Sequence, residues 1–492
     1  MKYRLRSLFW LGLGLFAALA IAAFGPGPAE QAFAATPRHY TELEFPPLPD
    51  VELPDYTRFQ LDNGAIVYLI EDRELPLVQG TAVLRVGARH EPADRVGLAR
   101  LMGVALRAGG TENHAPDELN QLLEQRAASV ETRVGLDAGT ASFSALSEDL
   151  ETVFKLFAEV LRSPAFGPEQ LELLMRQARG TIARRNDDPG NIAGREFRKL
   201  IYGEDSPYAR TVEYATLARI ERADVLEFYR TYVRPDNLVL GIVGDFETEK
   251  MRALVEQTFG DWQGSGPLPN LEPPPTEQVQ TGGLYFVEQP QLTQSNVLLG
   301  HVGGQFDAAD YPAMRAIDSL LNGFSGRLFD EVRSRRGLAY SVYAAWSADY
   351  DRPGLFVAGG QTRSQTTVPF VQAIETEIER LRSETVSTEE LDNAIEAAAN
   401  SFVFNFQTPR QTLSRLMRYE FYDYPENFLF ESQEALQALT PKDILAAARN
   451  NLKPEQLVTV VVGNSRDIQP PLSSLDATVT ALDVTIPPDP NG

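Results

Sequence analysis

Hydrophobic and polar positions alternate with two different periods along this chain. Apolar residues recur at three- and four-residue spacing over residues 150–161 and 368–381, which predicts amphipathic helices there. Residues 58–70 instead alternate as strands do and turn at Asn63-Gly64, the pair that favours a tight hairpin. β-branched runs follow Pro235 and Pro454, and because proline cannot continue a helix, each run predicts a buried strand.

Part of this pattern occurs twice. Residues 224–244 and 443–463 each run from an aspartate through Pro-x-x-Leu-Val to a Val-Gly pair, without a gap. Residues 161–171 and 381–391 match at nearly the same offset, which indicates a duplicated chain. Strands are flanked by runs of helices and do not alternate with single helices. This predicts an α+β fold of two tandem homologous domains, each a mainly antiparallel sheet with helices packed on one face.

The composition of successive segments predicts the domain boundaries. The segments are a signal peptide (1–34), an extended N-terminal arm (35–52), a first domain (53–262), a Pro/Gly linker (263–280), a second domain (281–468) and a flexible tail (469–492). The linker composition predicts a semi-rigid connector that holds the two halves at a set distance.

The N-terminus has the three parts of a secretory signal. Lysine and arginine precede the apolar run 8–24, and Ala32-Phe33-Ala34 forms a small-residue cleavage site. Cleavage after Ala34 would deliver the chain to the periplasm or an equivalent envelope lumen. The alternative is that the apolar run is kept as a membrane anchor.

Composition excludes several classes of function. The chain has no cysteine, so it has no disulfide, thiol nucleophile or thiolate metal site. Its formal net charge of −23 argues against a nucleic-acid partner, because phosphate backbones would be repelled. The same charge is compatible with a preference for basic peptides, or simply with solubility.

Short motifs follow one another in order along both copies. In the first copy they are residues 61–64 (LDNG), 86–92 (VGARHEP), 97–99 (GLA), 186–189 (NDDP) and 235–237 (PDN); in the second they are residues 294–297 (QSNV), 325–329 (SGRLF) and 333–342 (RSRRGLAYSV). From about residue 56 to residue 464 the chain resembles the pitrilysin/insulinase family of zinc peptidases, the inverzincins. The resemblance implies a two-layer fold and a clamshell of two such chains, whose chamber admits unfolded peptides.

The zinc motif of the resembled family is missing from this sequence. In that family two histidines and a glutamate in H-x-x-E-H lie on a helix, and a distant glutamate completes the zinc ligands. The motif would follow residues 97–99, where Arg100, Gly103 and Val104 stand in place of the first histidine, the base and the second histidine. The distant glutamate would fall near Gly180-Thr181. We therefore expect no metal site, no catalytic residue and no cofactor in this chain, and zinc in a partner chain.

The four histidines do not offer a substitute. His39, His90, His114 and His301 are far apart, and none lies four residues from another. Each is interpreted as a solvated or structural histidine.

Arg333 and Tyr340, seven residues apart in the second copy, are the candidate substrate-binding residues. In the resembled family an arginine and a tyrosine at this spacing reach across the chamber and contact substrate near the zinc. The alternative is structural: Arg333 would pair with a helix acid such as Asp330, and Tyr340 would pack in the core.

Half of a composite active site is therefore absent and half is present. The resemblance implies an exported, non-catalytic subunit that positions an extended peptide for a zinc-bearing homologous peptidase subunit, and that is inactive alone as a metallopeptidase. The alternative is a stand-alone peptide-binding or scaffold protein on the same fold. A homodimer is the expected assembly if no zinc-bearing partner exists.

Overall fold

The computed structural model describes residues 53–323 and 326–490. The expected signal peptide, the N-terminal arm and Ser325 of the second copy's motif lie outside these ranges. Within them, no helix combines the length and the apolar character needed to cross a bilayer.

The first half contains a six-stranded sheet. Its strands are β1 (Thr57–Gln60), β2 (Ile66–Glu71), β3 (Leu77–Leu84), β4 (Ser129–Val134), β5 (Gly139–Leu146) and β6 (Leu238–Gly244), in the order β1-β2-β6-β3-β5-β4. Only the β2–β6 pair is parallel. The predicted hairpin is confirmed: Gln60 lies opposite Ile66, and Gly64 takes the positive φ of +95° that its turn requires.

Eight helices belong to the first half of the described chain. They are α1 (Leu98–Ala108), α2 (Pro116–Glu124), α3 (Leu150–Arg162), α4 (Pro168–Ala183), α5 (Pro189–Tyr202), α6 (Tyr214–Leu217), α7 (Arg222–Tyr232) and α8 (Thr248–Phe259). The helix predicted over residues 150–161 is thus α3.

The second half repeats this architecture. Its strands are β7 (Gly283–Glu288), β8 (Gln294–Val302), β9 (Ala339–Ser347), β10 (Leu355–Arg363), β11 (Val458–Gly463) and β12 (Val479–Ala481), in the order β12-β7-β11-β8-β10-β9. Its helices are α9 (Tyr311–Leu321), α10 (Thr367–Ser383), α11 (Thr388–Phe402), α12 (Pro409–Tyr422), α13 (Phe428–Gln437) and α14 (Pro441–Asn451), with a π-helical segment at Phe329–Arg335. The helix predicted over residues 368–381 is thus α10.

The repeated Pro-x-x-Leu-Val segments occupy equivalent central positions. Each begins with a 3₁₀ turn, Pro235–Asn237 or Pro454–Gln456, and continues into β6 or β11, whose residues are all buried. A strand buried on both faces reads as a continuous apolar run, and this explains the sequence pattern. The matching strand orders confirm two tandem domains of α+β architecture.

Each sheet packs the helices of its own half on one face and a helix of the other half on the opposite face. Helix α12 covers the first sheet, where Leu413 and Met417 contact Tyr68 and Val239. Helix α5 covers the second sheet, and its apolar residues pack on Val287 and on the buried valines of β11. This exchange of helices joins the halves through hydrophobic cores, and the sequence pattern did not reveal it.

A buried charge cluster adds a second link between the halves. Arg89 Nη1 lies 2.6 Å from Asp351 Oδ2, and Arg352 Nη1 lies 2.7 Å from Asp137 Oδ1. Both arginines are buried, and each pairs with both Asp137 and Asp351, so the four side chains form one network across the halves.

The linker is bound to the first half, because Arg234 binds the carbonyls of Ser265, Gly266 and Pro267, and the two halves contact each other directly. The expectation about the end of the chain needs correction. The segment from residue 469 is not a free tail, because β12 pairs with β7 and Leu472 lies in the second core. Pairing at the sheet edge satisfies backbone groups that a free tail would leave to solvent.

Candidate functional site

Helix α1 begins on a buried carboxylate. The two oxygens of Glu91 accept the N–H groups of Gly97 and Ala99 at 3.0 and 2.9 Å, at the positive end of the helix. Gly97 permits the entry because its φ is +108°. Burial raises the pKa of Glu91, and the two backbone donors oppose that rise. The motif around His90 and Glu91 therefore has a structural role at the start of α1.

The positions that correspond to zinc ligands converge as the resemblance implies. Arg100 and Val104, one turn apart on α1, line a pocket of about 200 Å³ together with Thr181 of α4. The rest of the lining is mostly aliphatic and includes Leu101 and Ile182. We call this the α1 pocket. Its chemistry favours an apolar occupant over a metal ion.

Gly103, at the position of the catalytic base, has no room for a side chain. A Cβ atom there would lie 2.5 Å from the backbone nitrogen of Val134 and 2.7 Å from its side chain. Helix α1 packs on β4 at this point, and glycine permits the close approach. A glutamate at residue 103 would require the edge strand to move.

The residues of the α1 pocket do not fit a zinc ion. Zinc sites in proteins use thiolate, imidazole or carboxylate ligands, and none of these groups lines the pocket. Across the described ranges, no group of three or more histidines, aspartates and glutamates is arranged to hold a metal ion. Glu172, the nearest glutamate in sequence, is exposed and pairs with Arg176. No step of a reaction is therefore assigned to a metal in this chain.

The three described histidines are separate and have structural partners. His301 is fully buried, its Nδ1 donates to the Val302 carbonyl at 2.7 Å, and its Nε2 accepts the Lys453 N–H. His114 lies 2.9 Å from Glu159, and His90 accepts the Gly87 N–H. Burial lowers the pKa of His90 and of His301 to about 4, which keeps both rings neutral near pH 7. His39 lies outside the described residues.

Arg333 and Tyr340 meet on the surface of the second half. The Arg333 guanidinium carbon lies 4.8 Å from the centre of the Tyr340 ring and 4.8 Å from that of Phe329. Tyr340 is 82% exposed, so it does not pack in the core. Asp330 pairs with Arg335, and within residues 53–323 and 326–490 no carboxylate forms an ion pair with Arg333. Both parts of the structural alternative are therefore wrong.

Strand β9, which carries Tyr340, is an edge strand. The end of β9 away from Tyr340 is bonded to two side chains, one from α9 and one from the residue that caps its C-terminus. Asn322 donates to the Ala344 carbonyl at 2.7 Å and accepts its N–H at 3.0 Å. Asp318 accepts the Trp346 N–H at 2.8 Å. These side chains occupy backbone groups that an edge strand otherwise offers to another chain. At the other end of β9 the pairing with β10 shifts register at Tyr340, and the Tyr340 side chain is exposed.

Asp318 and Asn322 could not be identified from the sequence. Asp318 lies in an amphipathic helix where an acid reads as an ordinary solvated residue, and no local motif marks it. Burial raises the pKa of Asp318 from 3.8 to about 7, although the Trp346 N–H and Arg315 both oppose the rise.

Comparison with known families is consistent with the two-domain architecture. A family model described as insulinase (peptidase family M16) matches residues 69–203, and one described as the peptidase M16 inactive domain matches residues 219–398. The first match lies within the first half, and the second begins in the first half just before α7 and extends to α11 of the second half.

Relatives and solved structures match over most of the chain. An uncharacterized zinc protease of Bacillus subtilis is 22% identical over 365 residues, which is 73% of this chain and 86% of that protein. A peptidase M16 inactive domain from Pseudomonas fluorescens is 25% identical with a TM-score of 0.76, over 85% of this chain and all of that one. The periplasmic protease PqqL of Escherichia coli, 17% identical, shares the fold with a TM-score of 0.71, over 91% of this chain and 50% of that one. The chain with its duplicated α+β halves belongs to the insulinase family, peptidase family M16.

Proposed function

We propose that this chain is a non-catalytic, exported subunit that positions an extended peptide for a zinc-bearing homologous peptidase subunit. The observation that carries the proposal is the contrast between two places. The described lining of the α1 pocket offers neither metal ligands nor space for a catalytic base, whereas Arg333 of the π-helical segment and Tyr340 of β9 form an exposed stack.

The stack suits a peptide ligand. Aromatic rings on the faces of the Arg333 guanidinium leave its N–H donors, which point outward in the plane of the group, available for a carbonyl oxygen. The Tyr340 hydroxyl is a second donor. In a complex, these donors could hold a peptide carbonyl or stabilise negative charge that develops on it, while the partner subunit supplies the zinc chemistry.

Export is supported by two independent observations. The N-terminal residues have the order of a secretory signal that would be cleaved after Ala34. A structural neighbour of this chain, PqqL, is described as a periplasmic protease. The periplasm or an equivalent envelope lumen is therefore the proposed location.

The test begins with native capture of the tagged mature protein from its own cells. Co-purifying chains are identified and counted by mass spectrometry. We expect a one-to-one partner that contains H-x-x-E-H, and we expect the two purified chains together, but neither alone, to cleave an unfolded peptide in a zinc-dependent reaction.

Two substitutions then test the stack within that complex. Arg333→Ala and Tyr340→Phe should each lower kcat/KM by about tenfold or more, as losses of single positioned donors do. Arg335→Ala and Tyr343→Phe are matched controls, because Arg335 pairs with Asp330 and Glu331 and Tyr343 lies on the same strand with its ring outside the stack. The controls should leave cleavage unchanged.

Recovery of a monomer or self-dimer, with no zinc-bearing chain, would contradict the subunit proposal. That outcome would favour the second candidate, a stand-alone peptide-binding or scaffold protein. Equal losses in the stack variants and the controls would contradict the role of the stack alone.

A further inference from the structure

Five arginines line one cavity of this otherwise acidic chain. The cavity, of about 470 Å³, lies between the end of α4, helix α5 and the loop before α6. Its lining contains no acidic residue. The arginines are Arg184, Arg185, Arg195, Arg198 and Arg210. We call it the arginine cavity; in a protein of net charge −23, such a concentration of one sign needs a physical explanation.

Three of the arginines are fixed in the wall. Arg195 donates to Glu196, to the Arg185 carbonyl and to Asn186, and its side chain is 11% exposed. Arg185 donates to Glu213 and to the Val212 carbonyl, while its Nε is buried without a hydrogen-bond partner. Arg210 donates only to carbonyl groups, those of Asp205 and Glu91.

The other two arginines, Arg184 and Arg198, are exposed. Within the described ranges, neither Arg184 nor Arg198 forms an ion pair or a side-chain hydrogen bond. Each lies one turn after a glycine, Gly180 or Gly194, and a side chain at Gly194 would begin 3.7 Å from the Arg198 guanidinium. Partial desolvation, and then repulsion from Arg195, lowers the pKa of Arg198.

The charges therefore do not cancel within the cavity. Glu196 and Glu213 compensate Arg195 and Arg185, and Arg210 interacts with the charge of Glu91, whereas Arg184 and Arg198 have no acidic partner among the described residues. Guanidinium groups so arranged match carboxylate and phosphate oxygens, which accept paired N–H donors.

The cavity adjoins the α1 pocket. Thr181 and Val212 belong to the lining of both. One occupant could therefore place an apolar group among Leu101, Val104 and Leu174 and an anionic group among the arginines. A free phosphate would satisfy only the second half of this surface, whereas a peptide with adjacent apolar and acidic side chains would satisfy both.

We infer that the α1 pocket and the arginine cavity together form a subsite for a peptide segment in which an apolar side chain is next to an acidic one. This inference rests on the proposed function, since it names the class of peptide that the subunit would position. The net charge of the chain left open a preference for basic peptides, whereas the electrostatic field at a cavity is set by the charges that line it, and here these favour an acidic peptide.

Binding to the isolated chain tests the inference without the partner subunit. The probes are three fluorescein-labelled peptides, which repeat Leu-Glu, Leu-Gln or Leu-Lys. The affinity of each peptide for the chain is measured by fluorescence anisotropy. We expect the Leu-Glu peptide to bind at least about tenfold more tightly than the Leu-Gln peptide, with a preference that weakens as salt is added. The Leu-Lys peptide should bind most weakly.

The variant Arg184→Gln/Arg198→Gln should lose the preference for Leu-Glu. Arg176→Gln is the matched control, since Arg176 is an exposed arginine on α4 that pairs with Glu172. An equal loss in this control would show a general charge effect and overturn the site.

Equal affinity for the Leu-Glu and Leu-Gln peptides would also overturn the inference. So would complete displacement of the Leu-Glu peptide by an equal concentration of inorganic phosphate, because the site would then recognise an anion alone. These measurements use the isolated chain without a partner. A negative binding result would therefore leave the subunit proposal intact. Conversely, the binding measurements stay valid if no partner subunit co-purifies.

Discussion

Helices α1 and α9 occupy equivalent places in the two halves, yet each is joined to its edge strand in a different way. Helix α1 lies close to β4, with Gly103 against the Val134 backbone. Helix α9 reaches β9 through polar side chains, with Asp318 and Asn322 bonded to backbone groups of the strand. At Gly103 the close packing leaves no space for a side chain. In α9 and its C-cap, the polar side chains of Asp318 and Asn322 make the contact with the strand.

The two helices therefore leave different surfaces. In the first half α1 is packed on β4 at Gly103, and Arg100 and Val104 beside it line the mostly aliphatic α1 pocket. In the second half α9 is bonded to one end of β9, and Tyr340 near the other end stacks on Arg333 of the π-helical segment. The same fold can therefore join one helix to one strand by close packing or by hydrogen bonds, depending on a few side chains between them.

The largest expected effect, and the strongest test of the close packing at Gly103, comes from rebuilding the zinc motif. The triple variant Arg100→His/Gly103→Glu/Val104→His should lose roughly 3–5 kcal/mol in the free energy of unfolding, because the glutamate would overlap the Val134 backbone and lose solvation. This loss exceeds the gain of about 1 kcal/mol from removing glycine from a helix. Urea unfolding and zinc titration would measure stability and binding.

The double variant Arg100→His/Val104→His is its control. Both positions are exposed, so it should cost less than about 1 kcal/mol. If the triple variant is as stable as the double variant and binds one zinc tightly, then residue 103 has room for a glutamate, and the claim of close packing there is wrong.

The hydrogen-bonded contact of the second half should depend on pH. Burial raises the pKa of Asp318 to about 7, so between about pH 4 and pH 7 the folded state keeps a proton that the unfolded state releases. The free energy of unfolding therefore falls as pH rises through this window and levels off above it. Asp318→Asn keeps an oxygen for the Trp346 N–H but cannot ionise. Its stability relative to the wild type should rise by on the order of 2 kcal/mol between about pH 4 and pH 8.

Asn322→Ala provides the comparison for this effect. It also loosens β9, by about 1 kcal/mol, but it does not change a titrating group. Its stability difference from the wild type should be the same at both pH values, and a flat profile for Asp318→Asn would contradict the raised pKa.

The smallest effect on stability is expected at Tyr340. Tyr340→Phe should change the free energy of unfolding by less than about 0.5 kcal/mol, because the hydroxyl group is in solvent. Thermal unfolding of the purified variant measures this. A cost of several kcal/mol would assign Tyr340 to the structural core and remove the reason to connect it with peptide binding.

Several features could be predicted from residues close together in sequence. The hairpin at Asn63-Gly64 and helices α3 and α10 follow from local periodicity and turn chemistry. The repeated central strands β6 and β11 revealed the duplication. The absence of H-x-x-E-H after residues 97–99 is a property of the sequence alone.

Tertiary structure decided what depends on residues far apart in the chain. Helix α12 covers the first sheet, and β12 completes the second, although neither segment carries a signal that names its partner. The exposure of Tyr340 and the convergence of five arginines likewise depend on packing between elements.

The sequence by itself therefore determined the elements, the repeat and the residue types at positions 100, 103 and 104, because each depends on residue type and short-range spacing. Only the folded chain decided which faces are covered, which charges remain unpaired and which side chains reach solvent. These properties arise from long-range burial, where the free energy of a contact depends on the partner that the fold supplies.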